Sequence, residues 1–150
     1  MVFRKAELFD VRQMQIVRNS VKENVLSNPA VVPDKDVAYF ICERGQGWVC
    51  ELEGRLIGFS IVDLREHSVW ALFVDPLYER QGVGKKLHSL MLDWYFTYTE
   101  ETLSLGTAPN TRAALFYVYQ GWASDGTVKN GEIHFNLPHK KWLSRKLQNE

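Results

Sequence analysis

The chain has 150 residues, with 18 basic and 18 acidic side chains and therefore no formal net charge. Its length fits one domain, and 45% hydrophobic with 24% charged residues is ordinary globular composition, which excludes a disordered chain. Balanced charge argues against a protein that grips nucleic acid by electrostatics alone, because phosphate contacts need an excess of Lys and Arg, but it allows a small anionic ligand on a local patch. No run approaches the ~20 consecutive apolar residues of a membrane span, and the start lacks a basic-then-apolar secretory pattern. Cys42 and Cys50 are the only cysteines, at a spacing that matches no zinc motif and too few to staple a domain of this size. The composition therefore predicts a soluble, single-domain, cytoplasmic protein with no nucleic acid or membrane partner and no metal.

In chain order, Val2 to Leu8 reads as a first strand. Asp10 stands where a helix N-cap belongs, and Met14, Val17, Val21 and Val25 recur at helical spacing behind it. The stretch from Asn28-Pro29 to Pro33 stops that helix, and Asp34 is expected to cap a second one carrying Val37, Phe40 and Ile41. Trp48 to Leu52 and Leu56 to Leu64 then alternate as strands around a tight Glu53-Gly54 turn, and Ser68 to Val74 follows as a third strand ended by Asp75-Pro76. The strongest helical pattern places Val83, Leu87, Leu90, Met91, Trp94, Tyr95 and Tyr98 on one face. A short strand at Thr102 to Leu105 leads through a loop to a helix with Ala113, Phe116 and Tyr117, which Gly121 closes in the left-handed conformation. Two final strands, around Trp122 and around Glu132 to Leu137, are joined through Asp125 to Gly131. Trp48, Trp70, Trp94 and Trp122 sit on apolar patterns and read as core or pocket walls.

The order β-α-α-β-β-β-α-β-α-β-β predicts a mixed α/β fold, helices packed on a mixed sheet, over residues 1–138. Residues 139–150 form a basic tail around Trp142 and Leu143 that reads as a solvated amphipathic end, with a partner or homodimer contact as the alternative.

Chemistry concentrates between Ala71 and Leu87. A buried strand there gives way to a turn, a loop with Gly82 and Gly84, and the start of the long helix. Glycines let a ligand approach the backbone, and the free N–H groups of a helix's first turn bind phosphate. Arg80, Lys85 and Lys86 add local positive charge to an otherwise neutral molecule. Two other phosphate motifs fail: nothing matches G-x-x-x-x-G-K-S/T, and G-x-G-x-x-G would need glycine where Leu87 stands.

Leu72-Phe73-Val74-Asp75-Pro76 and Gly82-Val83-Gly84 together resemble the acyl-CoA motif of the GNAT superfamily of N-acetyltransferases, R/Q-x-x-G-x-G/A after a strand of type L-x-V-x-P. Glu79 stands where that pattern has Gln or Arg. Downstream, Asn110 to Trp122 resembles the family's signature N-x-x-A-x-x-F-Y-x-x-x-G-F/W. The resemblance covers nearly the whole chain and implies the GNAT-like fold and transfer of an acetyl group from acetyl-CoA to an amine, with both substrates bound at once. It implies that the Phe73 and Val74 backbone pairs with pantetheine. Amides of Gln81, Gly82, Val83, Gly84 and Lys85, with Arg80 close by, would hold the pyrophosphate.

The family pattern makes Tyr117 the general acid. A phenol of pKa about 10 stays protonated at neutral pH and can pass its proton to a departing thiolate. Without the motif, Tyr117 would read as one aromatic of a helix core, and Tyr119 faces elsewhere. Asn110 is expected to contact the cofactor, to cap the helix, or both. For the base, the family's usual strand position is Ser68 here. Glu66, two residues earlier on the same face if the strand extends that far, is the residue chosen, with His67, Glu132 and His134 as further options. The acceptor reads as a small primary amine, because a neutral molecule offers no field to draw a polycation. The alternative is a non-catalytic acyl-CoA sensor on the same fold, suggested by Ser68 and Glu79.

Overall fold

The computed structural model describes residues 1–21 and 32–149. Within these, the chain forms seven strands and five α-helices, a mixed α/β arrangement in two compact units, Met1–Tyr95 and Phe96–Glu150. The predicted element order holds among the described residues as far as the helix that carries Tyr117; the penultimate strand lies at Val128–Lys129 rather than around Trp122, and one helix is added after the last strand.

The first unit is built on an antiparallel meander. β1 (Val2–Lys5) pairs with β2 (Gly45–Leu52), β2 with β3 (Arg55–Asp63), and β3 with β4 (Ser68–Val74). The Glu53-Gly54 turn has positive φ at both residues, as a two-residue hairpin requires. α1 (Val11–Ser20) and α2 (Asp34–Tyr39) cover one face of these strands, and α2 runs on into a wider, π-type turn over Phe40–Arg44. Met14, Val17, Val37 and Ile41 from the helical side meet Val49, Phe59, Ile61 and Ala71 from the strands. Truncating a fully buried member such as Met14 to Ala should cost about 2–5 kcal/mol. Ile61 pairs with Ala71 but Val62 with Val69, so Trp70 is an extra residue bulged out of β4.

α3 (Val83–Tyr98) starts in this unit, and its approach to β3 depends on Gly58. A Cβ there would lie 3.0 Å from Val83 Cγ1 and 3.1 Å from Leu87 Cδ1. The periodic face Val83, Leu87, Met91 and Tyr95 is buried as predicted, but Tyr98 is 66% exposed. His88, Leu92 and Phe96 are buried instead, because α3 hides a wider stripe than one row of threes and fours.

Two predicted caps are corrected. Asp10 precedes α1 but makes no cap bond to it; Arg4 Nη1 and Nη2 each donate to its carboxylate at 2.8 Å, and the Glu7 N–H donates at 2.8 Å. Asp34 is the first residue of α2, and the capping position belongs to Pro33. α1 ends at Ser20, so Val21 is extended rather than helical, while Val25 and most of the Asn28-to-Pro33 stop lie outside the described residues.

In the second unit, β5 (Leu103–Thr107) pairs antiparallel with β7 (Glu132–Leu137), which pairs with β6 (Val128–Lys129). The strand expected around Trp122 reduces to one bridge, Ala123 to Asn136, and β6 falls within the stretch read as its connecting turn. The basic end is a helix, α5 (His139–Gln148), whose Trp142 stacks on Phe96 at 5.0 Å and 27°. An indole with an apolar partner orders a segment that charge alone would leave solvated.

Candidate active site

β4 delivers Phe73 and Val74 to its C-terminal end, paired with Phe59 and Gly58 of β3. Asp75 then fixes the exit. It is buried, its N–H donates to the Ile57 carbonyl at 2.8 Å, and its carboxylate accepts from the Leu77 N–H at 3.0 Å and from Arg55 Nη2 at 3.3 Å. Pro76–Tyr78 makes a single tight turn behind it, and the chain reaches α3 through exposed Arg80, Gln81 and Gly82.

Arg80 and Gly82 both have positive φ, +63° and +83°. Only glycine adopts that region without strain, so the backbone favours glycine at position 82, while Arg80 bears the strain. A Cβ built on Gly82 meets nothing within 4 Å, and one on Gly84 meets only Val74 Cγ2 at 3.5 Å. The space above the turn is therefore not taken up by the protein's own atoms. The helical ladder begins with the Lys86 N–H donating to the Gly82 carbonyl at 3.1 Å, so the amides before it have no partner within the helix and lie at its positive end. Lys85 and Lys86 are exposed beside it. A diphosphate fits this constellation.

In the second unit, α4 (Arg112–Tyr119) carries Tyr117. Its ring is 5% exposed and packs edge-on to Trp122 (5.5 Å, 71°) and Phe116 (5.3 Å, 78°), and tilted against Phe135 (6.1 Å). Burial pushes the phenol above its ordinary value, so it stays protonated throughout the neutral range. Gly121, at φ +93°, donates to the Val118 carbonyl and Trp122 to the Tyr117 carbonyl, the paired bonds that close a helix through a left-handed glycine. Arg145 Nη2 on α5 donates to the Tyr119 carbonyl, another unpaired group of the last turn. Tyr119 itself is exposed.

The cap of α4 is Thr111, not Asn110: its Oγ1 accepts from the Ala114 N–H at 3.2 Å and donates to the Ala108 carbonyl at 2.8 Å. Asn110 is exposed at φ +61° and turns the chain into the helix. Sequence reasoning missed Thr111 because two adjacent residues of good capping type differ only in backbone conformation.

Among the candidate bases, β4 begins at Ser68, so Glu66 is not on the strand face where it was expected; it is exposed in the β3–β4 turn. His67 has φ +54°, and its Nδ1 lies 2.9 Å from the Tyr95 hydroxyl. Glu132 and His134 crowd the backbone of Gly106, where a Cβ would meet Glu132 Oε1 at 2.8 Å and His134 Cε1 at 3.1 Å. Arg18 on α1 also lies close to β4, and no spacing rule singled it out in the sequence. No group of three or more His, Cys, Asp or Glu is arranged to hold a metal among the described residues.

Residues 18–122 match the family model described as the acetyltransferase (GNAT) family. The chain belongs to the GNAT family of acetyltransferases. This makes it an acetyl-CoA-dependent N-acetyltransferase, and its fold is the GNAT fold. Solved structures agree on the fold. A ribosomal-protein-alanine N-acetyltransferase from Brucella melitensis is similar at a TM-score of 0.72 and 18% identity, covering 92% of this chain and 99% of that one. A PaiA N-acetyltransferase from Thermoplasma acidophilum, solved with coenzyme A, is similar at 0.77 and 15%, covering 91% and 98%. YncA from Salmonella typhimurium, a putative acetyltransferase solved with acetyl-CoA, is similar at 0.72 and 17%, covering 93% and 94%. A search of curated protein sequences finds no match. No helix among the described residues is long and apolar enough to cross a membrane.

Proposed function

We propose that this GNAT enzyme moves the acetyl group of acetyl-CoA to the primary amine of a small molecule, by direct transfer with both substrates bound. The observation that carries the reading is the α3 entrance: a left-handed Gly82 with open space at its Cβ position, the start of a helix, and flanking exposed cations. In this reading the amides of Gln81, Gly82, Val83, Gly84 and Lys85 hold the pyrophosphate, with Arg80 adding charge, while the Phe73 and Val74 backbone positions the pantetheine. Asn110, exposed and left-handed ahead of α4, is assigned a cofactor contact. Acetyl-CoA supplies the acetyl group as a thioester. Positioning the amine against it supplies much of the rate, because a bimolecular step becomes effectively unimolecular.

Tyr117 is assigned the proton that the departing sulfur needs. Its burial keeps the phenol neutral, so the hydroxyl carries its proton at every pH at which the enzyme works. An alkylammonium acceptor must lose a proton before it attacks. Glu66, exposed in its turn, would take that proton only through water; an unchanged pH profile of kcat/KM in Glu66→Gln would remove it from the mechanism.

A panel of amino acids, aliphatic amines and polyamines tests the reading, with free CoA thiol followed on acetyl-CoA addition. Thiol release that depends on a small amine is the expected result. Acetyl-CoA binding by calorimetry without release on any amine would overturn it and leave a sensor on the same fold.

A further inference from the structure

Arg18 holds its guanidinium over two aromatic rings of β4. Its Cζ lies 5.4 Å from the Trp70 ring centroid and 5.4 Å from that of Phe73, and Trp70 is stacked on Phe40 at 4.0 Å and 9°. The bulge in β4 is what brings Trp70 to the same packed side as Phe73, against α1 and α2. Ring faces attract a cation but are poor acceptors for its N–H groups. Nη1 of Arg18 is buried and meets no hydrogen-bond acceptor among the described residues.

Two other arginines of the same unit show what is missing. Arg4 is answered by Asp10 and Glu51, and Arg44 by Asp63. Among the described residues, Arg18 has rings where those have carboxylates. Burial pushes its guanidinium below the ordinary value, the direction for a charge partly removed from water. Such a group is costly to keep, and a planar fork of N–H donors is suited to a carboxylate.

The place of this cation says which ligand supplies the anion. It stands over the side chain of Phe73, the residue whose backbone is assigned to pantetheine, so it is one side chain away from that strand. It lies on the α1 side of β3 and β4, where Phe59 and Ile61 join the helical core. The diphosphate turn leads into α3, which packs on the opposite side through Gly58. Cofactor phosphate and Arg18 are therefore on different faces.

We propose that Arg18 recognises a carboxylate on the acceptor, so that the amine substrate belongs to the amino-acid class. Its carboxylate would bond Nη1 and its apolar part would rest on Trp70 and Phe73. Calling the ligand the acceptor rests on the acetyl-transfer reading; the carboxylate site itself stands on the geometry around Arg18.

Titration of the full chain with phenylacetate and with phenylacetamide, which differ in the charged group, reads this site without turnover. Phenylacetate should bind at least ~10-fold more tightly, Arg18→Gln should erase the difference, and Arg18→Lys should restore only part of it. Equal binding of acid and amide, binding of neither, or a preference that survives Arg18→Gln would overturn the proposal. In turnover, tryptophan and leucine should exceed tryptamine and isoamylamine in kcat/KM, and Arg18→Gln should remove that preference through the acceptor KM with the acetyl-CoA KM unchanged. A raised acetyl-CoA KM would reassign the anion to the cofactor and overturn the acceptor assignment. A lowered Tm with the acid preference intact would make Arg18 a structural clamp and do the same. If no amine is turned over, the acetyl-transfer reading fails, while the phenylacetate pair still decides Arg18.

Discussion

The Trp122 backbone N–H donates to the Tyr117 carbonyl across 3.0 Å, and the same pair of residues meets again ring to ring at 5.5 Å. One glycine, Gly121, makes both contacts possible by turning the chain left-handed at the end of α4. The phenol is thus fixed from its own backbone as well as from its aromatic surroundings.

Gly121→Ala should therefore cost about 1–2 kcal/mol for the left-handed conformation alone. The new methyl would also reach within 2.5 Å of Arg145 Cδ, which must swing away and give up the Tyr119 carbonyl. Urea unfolding checks the loss of stability. Activity should fall with it, because the Tyr117 ring loses its anchor.

Acid sensitivity is expected from Asp10. Burial by itself would raise its carboxyl, but hydrogen bonds from Arg4 and the Glu7 N–H outweigh that and hold it below the usual carboxylate range. Its contribution is present above the unfolded value near ~4 and is lost as pH falls through the lower folded value. Asp10→Asn should cost about 2–3 kcal/mol near neutrality, somewhat less than a fully buried pair because Arg4 is partly solvated. Unfolding curves of wild type and Asp10→Asn should converge as pH drops from 6 toward 2.

Gly82 separates backbone strain from ligand space. Gly82→Ala should lose about 1 kcal/mol of stability, since the site leaves room for a methyl but φ is +83°. Gly82→Glu adds bulk and negative charge where a diphosphate is expected. Calorimetry should detect no acetyl-CoA binding by Gly82→Glu while circular dichroism remains that of the folded chain.

The helix cap distinguishes two neighbouring residues. Thr111→Ala should destabilise by about 1 kcal/mol through loss of the Ala114 N–H acceptor. Asn110→Gly should be neutral or slightly stabilising, as glycine suits φ +61° better. Thermal melts of the two variants give the comparison.

What could be read in the residues was periodicity and punctuation. The stripe from Val83 to Tyr95, the Glu53-Gly54 turn and the Gly121 stop each follow from one local rule, and each is present in the fold. Choices among near-equivalent partners could not be read. Asp10 is a good cap by type, yet a two-pronged bond from Arg4 draws its carboxylate away, and that depends on β1 passing beside it. Trp122 looked like a strand residue because it is apolar and buried, but its N–H is already spent closing α4, so pairing starts only at Ala123. The basic end became a helix because Trp142 finds Phe96, a contact no window of ten residues contains. The glycine turn ahead of α3 was legible because Gly82, Gly84 and the flanking cations mark it in sequence. Arg18 was not, since a lone arginine on an amphipathic helix reads as a solvated face until the rings beneath it are known.

The central claim, that Tyr117 gives up the proton in acetyl transfer, is tested most directly by Tyr117→Phe. Phenylalanine keeps the ring contacts with Phe116, Trp122 and Phe135 and removes only the hydroxyl. Steady-state kinetics should show kcat lowered by about 10²–10⁴-fold, with acetyl-CoA affinity by calorimetry and the melting temperature close to wild type. An unaltered kcat would contradict the account and leave Tyr117 as a core aromatic.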